Sequence, residues 1–141
     1  MDADAVRDKL MAQHDGIRVQ LNRCKILARG LLAGAPVALQ LDAALSRLRD
    51  DFVDHNTTET ALVGPLLHGL VNRGPLLVDR MLEEHVAEHK ELWVKLAGTA
   101  GDVATRIDDV IEELEAHMAA EERTFLSPLV LRTEPYVPQR C

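Results

Sequence analysis

The chain has 141 residues, 47% of them hydrophobic but only 3% aromatic, and its 16 basic and 23 acidic side chains leave a net charge of -7. One domain with a core of Leu, Val, Ile and Ala is expected, a composition that favours helices. An acidic chain without a basic block gains little from phosphate backbones or anionic lipid, and no run approaches the ~18 apolar residues of a membrane span, so neither nucleic acid nor a membrane is an expected partner.

In chain order, the acidic start Met1-Asp2-Ala3-Asp4 lacks the basic-then-apolar order of a signal peptide. The two cysteines, Cys24 and Cys141, suggest no disulfide framework, and a cytoplasmic protein is expected. Glycine and proline divide the chain into helices near 3–33, 37–68, 75–97 and 102–127. Gly34-Ala35-Pro36 ends the first, and Pro36 can open the second. Asn72-Arg73-Gly74-Pro75 separates the second from the third. Gly98-Thr99-Ala100-Gly101 precedes the fourth, with Asp102 as the expected N-cap. Such short connections predict an all-α, up-down-up-down antiparallel four-helix bundle over residues 1–130. Thr133-Glu134-Pro135-Tyr136-Val137-Pro138 cannot continue a helix, so residues 131–141 are expected to form a short C-terminal tail.

Each predicted helix carries a seam that advances by threes and fours. The first gives Leu10, His14, Ile17, Leu21, Cys24, Ala28 and Leu31; the second gives Leu41, Leu45, Leu48, Phe52, His55, Glu59, Leu62 and Leu66. The third gives Val78, Leu82, His85, His89, Leu92 and Leu96; the fourth gives Val103, Ile107, Val110, Leu114, His117, Glu121 and Phe125. Apolar residues fill nearly every slot except the five histidines and two glutamates. Buried glutamate is costly without a partner, and seven ionisable groups at core positions require a common explanation.

Residues four apart share a helix face, so His55 with Glu59, His85 with His89, and His117 with Glu121 each aim two donors at one point. His14 lies twenty residues before Gly34 and His55 nineteen after Pro36, which puts both at one height above their shared turn. Five imidazoles and two carboxylates exceed what one metal needs and suit two ions joined by the carboxylates. Imidazole-rich ligation suits iron, copper, zinc or nickel, and bridging carboxylates narrow the choice toward iron or manganese. His55 to Pro65 and His117 to Pro128 form a weak internal repeat, in which each proline is expected to kink or end its helix just past the ligand layer.

The motifs His14-Asp15-Gly16-Ile17-Arg18, His55-Asn56-Thr57-Thr58-Glu59, His85-Val86-Ala87-Glu88-His89 and His117-Met118-Ala119-Ala120-Glu121-Glu122 stand in the order His, His-x-x-x-Glu, His-x-x-x-His, His-x-x-x-Glu. That order resembles hemerythrins and the hemerythrin-like HHE-type cation-binding domains. The resemblance implies two iron ions with a bridging oxo or hydroxo group, one held by His85, His89 and His117 and the other by His14 and His55. Glu59 and Glu121 would bridge, and an open position would take dioxygen or peroxide. Oxygen-carrying hemerythrins place an aspartate five residues after the last histidine, where this chain has Glu122; Glu121 stands at four, as in many HHE-type domains. The seam favours Glu121, with Glu122 as the alternative.

Outside the motifs, His68 is expected at an exposed helix end, Cys24 as a small core hydrophobe, and Trp93 as a packing residue. The Glu83-Glu84 and Glu112-Glu113 pairs are expected on solvated faces. Tyr136, the sole tyrosine, and Cys141 fall in the tail. The apolar surroundings of the ligands (Leu10, Ile17, Phe52, Leu62, Leu82, Leu92, Leu114) suit dioxygen, nitric oxide or peroxide rather than a bulky polar substrate. Carriage, storage or sensing of dioxygen is the first reading. Enzymatic removal of peroxide or nitric oxide is the alternative, and a metal-holding bundle without redox turnover is a further one.

Overall fold

The computed structural model describes residues 2–70, 75–124, 126 and 127, with the side chains of 67–70, 75–78, 80 and 81 outside the description. Among the described residues the structure is all-helical: α1 (Ala3–Leu32), α2 (Ala38–Leu70), α3 (Pro75–Leu96), α4 (Ala100–Thr105) and α5 (Ile107–Arg123). None of these helices is long and apolar enough to cross a membrane. The expectations for Val78, Phe125, Pro128, Tyr136, Cys141, the tail 131–141 and the side chain of His68 lie outside the described residues.

Each end of α1 is satisfied locally. The Asp2 carboxylate accepts from the Ala5 N–H at 2.8 Å, the usual work of an N-cap. At the other end Gly34 has φ +90°. Its N–H donates to Leu31 C=O, and that of Ala35 donates to Gly30 C=O, the paired bonds that close a helix through a left-handed residue. A Cβ on Gly34 would meet nothing within 4 Å, so the cost of a side chain there is purely conformational. Gly34→Ala is expected to cost about 1 kcal/mol and to lower the thermal midpoint by roughly 3–5 °C. A melt shifted by less than a degree would show that the reversal relaxes.

Pro65 lies inside α2, as the predicted helix near 37–68 has it, and α2 continues to Leu70, so that proline does not end its helix. The chain departs from the predicted elements in the fourth helix, which is two. Thr99, not Asp102, is the N-cap of α4: Thr99 Oγ1 accepts from the Asp102 N–H at 3.1 Å, and the Asp102 carboxylate accepts from the Thr99 N–H at 3.2 Å. This reciprocal pair needs the acid three residues past the cap, and it holds the Asp102 carboxyl below its ordinary range. At Arg106 the backbone leaves the helix (φ -121°, ψ 17°), and its N–H returns to Val103 C=O at 3.1 Å. The Arg106 guanidinium donates to the carbonyls of Lys95, at 3.1 Å, and Ala97. Arg49, from α2, donates to Leu96 C=O at 2.8 Å and Gly98 C=O at 3.0 Å. Two guanidinium groups thus take the carbonyls that the end of α3 leaves without helical partners.

The core has two parts. The larger is built from Ile17, Leu21, Cys24 and Ala28 of α1, Leu41, Leu45, Leu48 and Phe52 of α2, Leu92 and Leu96 of α3, and residues from Val103 to Met118 of α4 and α5. The smaller comprises Ala3, Val6, Leu10, Val63 and Leu126, with Met11, Leu62, Leu66 and Leu82 partly buried against it. The predicted seam holds through Glu59, after which Val63 takes the buried place expected of Leu62 and Leu66. Cys24 is fully buried, and burial pushes its thiol up to about 11. In each long helix the histidines stand between the residues of the two apolar parts.

Candidate metal centre

His14, His55, Glu59, His85, His89, His117 and Glu121 are all buried, none more than 8% exposed. The helical spacing read from the sequence brings them into one layer. Four imidazoles turn Nε2 toward the two carboxylates, and the fifth, His89, turns its Nε2 toward that of His117. Glu121 Oε1 lies 3.2 Å from His14 Nε2, 3.3 Å from His55 Nε2 and 3.2 Å from His117 Nε2, while its Oε2 lies 2.9 Å from His85 Nε2. Glu59 Oε2 lies 3.0 Å from His55 Nε2, and its Oε1 contacts His85 Nε2. The His14 and His55 nitrogens are 3.2 Å apart, and those of His89 and His117 3.0 Å.

The donor atoms fall into two groups, His85, His89, His117 and Glu121 in one and His14, His55 and Glu121 in the other, with the atoms of each within 4.8 Å of one another. Each carboxylate touches imidazoles of both groups. Glu121 reaches His14 and His55 on one side and His85 and His117 on the other, and Glu59 reaches His55 and His85.

The outward nitrogens fix the tautomers. His117 Nδ1 donates to Glu88 Oε1 at 2.8 Å, and His55 Nδ1 donates to Gln13 Oε1 at 3.0 Å. Gln13 is itself braced by Thr58 Oγ1 at 3.1 Å. A neutral imidazole that donates from Nδ1 presents a bare lone pair at Nε2. In their neutral form His55 and His117 therefore turn lone pairs inward, 3.2 to 3.3 Å from an anionic oxygen of Glu121. Glu59 Oε1, Glu59 Oε2 and Glu121 Oε2 are buried with no hydrogen bond among the described residues. Unpaired buried carboxylate oxygens are costly, and a cation among these atoms would satisfy all of them. Nitrogen-rich donors with two carboxylates fit first-row transition metals, iron among them.

Protonation shows the same demand for positive charge. Burial disfavours the imidazolium of His55 and of His85, but the adjacent carboxylates of Glu121 and Glu59 outweigh it, and each is pushed up to about 9. For His89 burial prevails, aided by repulsion from His85 and His117, and its value falls to about 3. Burial opposes the charge on Glu121, yet the surrounding histidines, His117 first, hold its carboxyl far below the ordinary range.

Glu122 stands outside the layer. Its carboxylate forms a two-pronged pair with Arg18 Nη2, at 2.8 and 2.9 Å, which lowers the Glu122 carboxyl and raises the Arg18 guanidinium. Glu122 Oε2 is 3.7 Å from His14 Nδ1, so it faces the back of a layer histidine rather than the cluster. Sequence reasoning passed over Gln13, Arg18 and Glu88, because polar residues flanking a seam look like any solvated face. The available signal was position, since Gln13 and Glu88 each immediately precede a layer histidine.

Among the described residues, a groove and a cavity reach the layer. A groove of about 770 Å³ between α2 and α3 is lined by Val53, Thr57, Ala61, Val86, Lys90, Trp93 and Val94 and touches His89. Trp93 is 41% exposed, so it borders this groove instead of packing in the core. A smaller cavity of about 220 Å³ is lined by Glu84, His85, Glu88, His117, Ala120, Glu121 and Thr124.

The family model for the hemerythrin HHE cation-binding domain matches residues 5–130. No curated protein and no solved structure matches the chain.

Proposed function

The chain belongs to the hemerythrin HHE cation-binding domain family, and from that premise we propose that it is a non-haem di-iron protein that binds dioxygen or a related small ligand, for carriage, storage or sensing. The observation that carries this reading is the buried layer in which five Nε2 atoms and two carboxylates converge. His85, His89 and His117 would hold one iron, His14 and His55 the other, with Glu59 and Glu121 spanning the two. An oxo- or hydroxo-bridged iron pair held there would supply reversible electron transfer to a small oxidant. α4 and α5 together act as the broken fourth member of an up-down-up-down four-helix bundle. The alternation of the two core parts along α1, α2 and α3 supports that arrangement.

The chain's own contribution is positioning and exclusion of water. Gln13, Glu88 and the Arg18–Glu122 pair stand behind His55, His117 and His14, an arrangement that orients metal-binding imidazoles. Leu10, Ile17, Phe52, Leu92 and Leu114 are buried above and below the layer. Such walls admit dioxygen, nitric oxide or peroxide and exclude bulky polar substrates.

Protein purified from iron-replete cells is expected to contain about two irons per chain, because a zinc site is complete with four donors. Elemental analysis giving one zinc and no iron would refute this. The ligand is tested by exposing anaerobically reduced protein to oxygen. A visible absorption band that disappears on deoxygenation supports carriage, and irreversible oxidation with consumption of added peroxide supports scavenging instead.

A further inference from the structure

We propose that the cavity between α3 and α5 is the port through which a divalent cation reaches the buried layer, with Glu84 and Glu88 as the carboxylates that collect it. The proposal rests on the metal-centre reading and adds the route by which the centre fills.

The two openings differ in chemistry. The α2–α3 groove presents Val53, Val86, Trp93 and Val94 with the neutral polar groups of Asn56, Thr57 and Thr60 beside His89, and its charged group is Lys90. A hydrated dication finds no carboxylate among these described residues and is repelled by the ammonium. The α3–α5 cavity presents Glu84, Glu88 and Thr124 beside His85, His117 and Glu121. Glu84 and Glu88 are four residues apart on α3, so their carboxylates share one face, a turn apart. Glu88 Oε1 is already bonded to His117 Nδ1 at 2.8 Å, which joins the outer carboxylates to the donor set. Glu121, 2% exposed, lines the same cavity, and its Oε2 accepts no hydrogen bond among the described residues. The path therefore runs from an exposed carboxylate through a half-exposed one to a buried one. A cation can exchange its waters for oxygens in steps instead of shedding them at once. A cleft lined by one sign of charge also concentrates counter-ions and speeds their arrival in a salt-dependent way.

The test is the rate at which metal-free protein takes up cobalt(II) added as its chloride salt, followed by stopped-flow absorption at low ionic strength. Circular dichroism would confirm that each variant is folded. Glu84→Gln is expected to slow uptake by roughly three- to tenfold, and Glu84→Lys more, with unchanged final absorbance. The difference should shrink as salt is added. Lys90→Gln, on the other opening, should leave the rate unchanged. Uptake by Glu84→Lys at the wild-type rate, or a slowing that salt does not diminish, overturns the route while leaving the metal centre in place. If the wild-type chain takes up no cobalt at all, the metal-centre reading falls and the route falls with it.

Discussion

Stripping the metal from the protein is expected to lower its thermal midpoint by well over ten degrees. With a cation present, the lone pairs and carboxylate charges of the layer are satisfied together. Without one, the fold must keep Glu59 and Glu121 buried among imidazoles, with three of their four carboxylate oxygens accepting no hydrogen bond among the described residues. Binding free energy is then folding free energy, of the order of several kcal/mol or more. A domain of this size shifts by roughly 3–5 °C per kcal/mol. Calorimetry with and without chelator provides the measurement, and midpoints within a few degrees of each other would show that the two apolar cores suffice alone. Acid acts in the same direction on the metal-free form. His89 is depressed to about 3, so below the ordinary histidine value near 6.5 the unfolded chain takes a proton that the folded chain refuses, and stability falls. Glu121, held low by its histidines, contributes stability above the ordinary glutamate value that is lost as pH falls further. His55 and His85 act oppositely. Raised to about 9, they stabilise fully below about 6.5 and lose that contribution as pH rises through 9. Metal-free protein is therefore expected to be most stable near neutrality and to weaken on both sides.

Glu121→Ala is expected to leave less than one iron per chain and to destabilise the fold by about 3 kcal/mol or more, the usual scale for removing one partner from a buried ionic group. Its two oxygens face four imidazoles at 2.9 to 3.3 Å. Glu122→Ala removes a carboxylate that Arg18 holds at the rim; a partly exposed pair of this kind contributes at most about 1 kcal/mol, and iron should remain. Elemental analysis and paired melts decide between them, and the reverse ranking would make Glu122 the ligand.

Which residues meet at the layer was legible in the sequence because it depends on helical period alone. Four-residue spacing on regular helices leaves little freedom, and the positions of His14 and His55 about a common turn set their heights. The remaining features depend on contacts between distant segments. Nothing near Arg106 marks a break, whose counterpart is a set of carbonyls nine to eleven residues earlier. Thr99 and Asp102 both favour helix starts, and only the reciprocal bonding assigns the cap to Thr99. After Glu59 the seam could continue through Leu62 or Val63; the structure chooses Val63, with Pro65 close behind. Trp93 is apolar and beside the seam, yet the width of the groove leaves it half uncovered. The outer partners Gln13 and Glu88 were hidden because their roles come from the imidazole behind which each sits, and Glu122, named as an alternative ligand, is held outside the layer by Arg18.

The clasp of Arg49 and Arg106 on the end of α3 sets the axial registry of that helix. α3 brings both His85 and His89 to the layer, and an α-helix advances about 1.5 Å per residue. A slide of one residue would carry both nitrogens by half the length of the contacts they now make. Four carbonyls from Lys95 to Gly98, held by one side chain from α2 and one from the break between α4 and α5, act as a mechanical stop about two turns beyond His89. The alignment of the layer is thus anchored at a distance, in a turn that contributes no side chain to it.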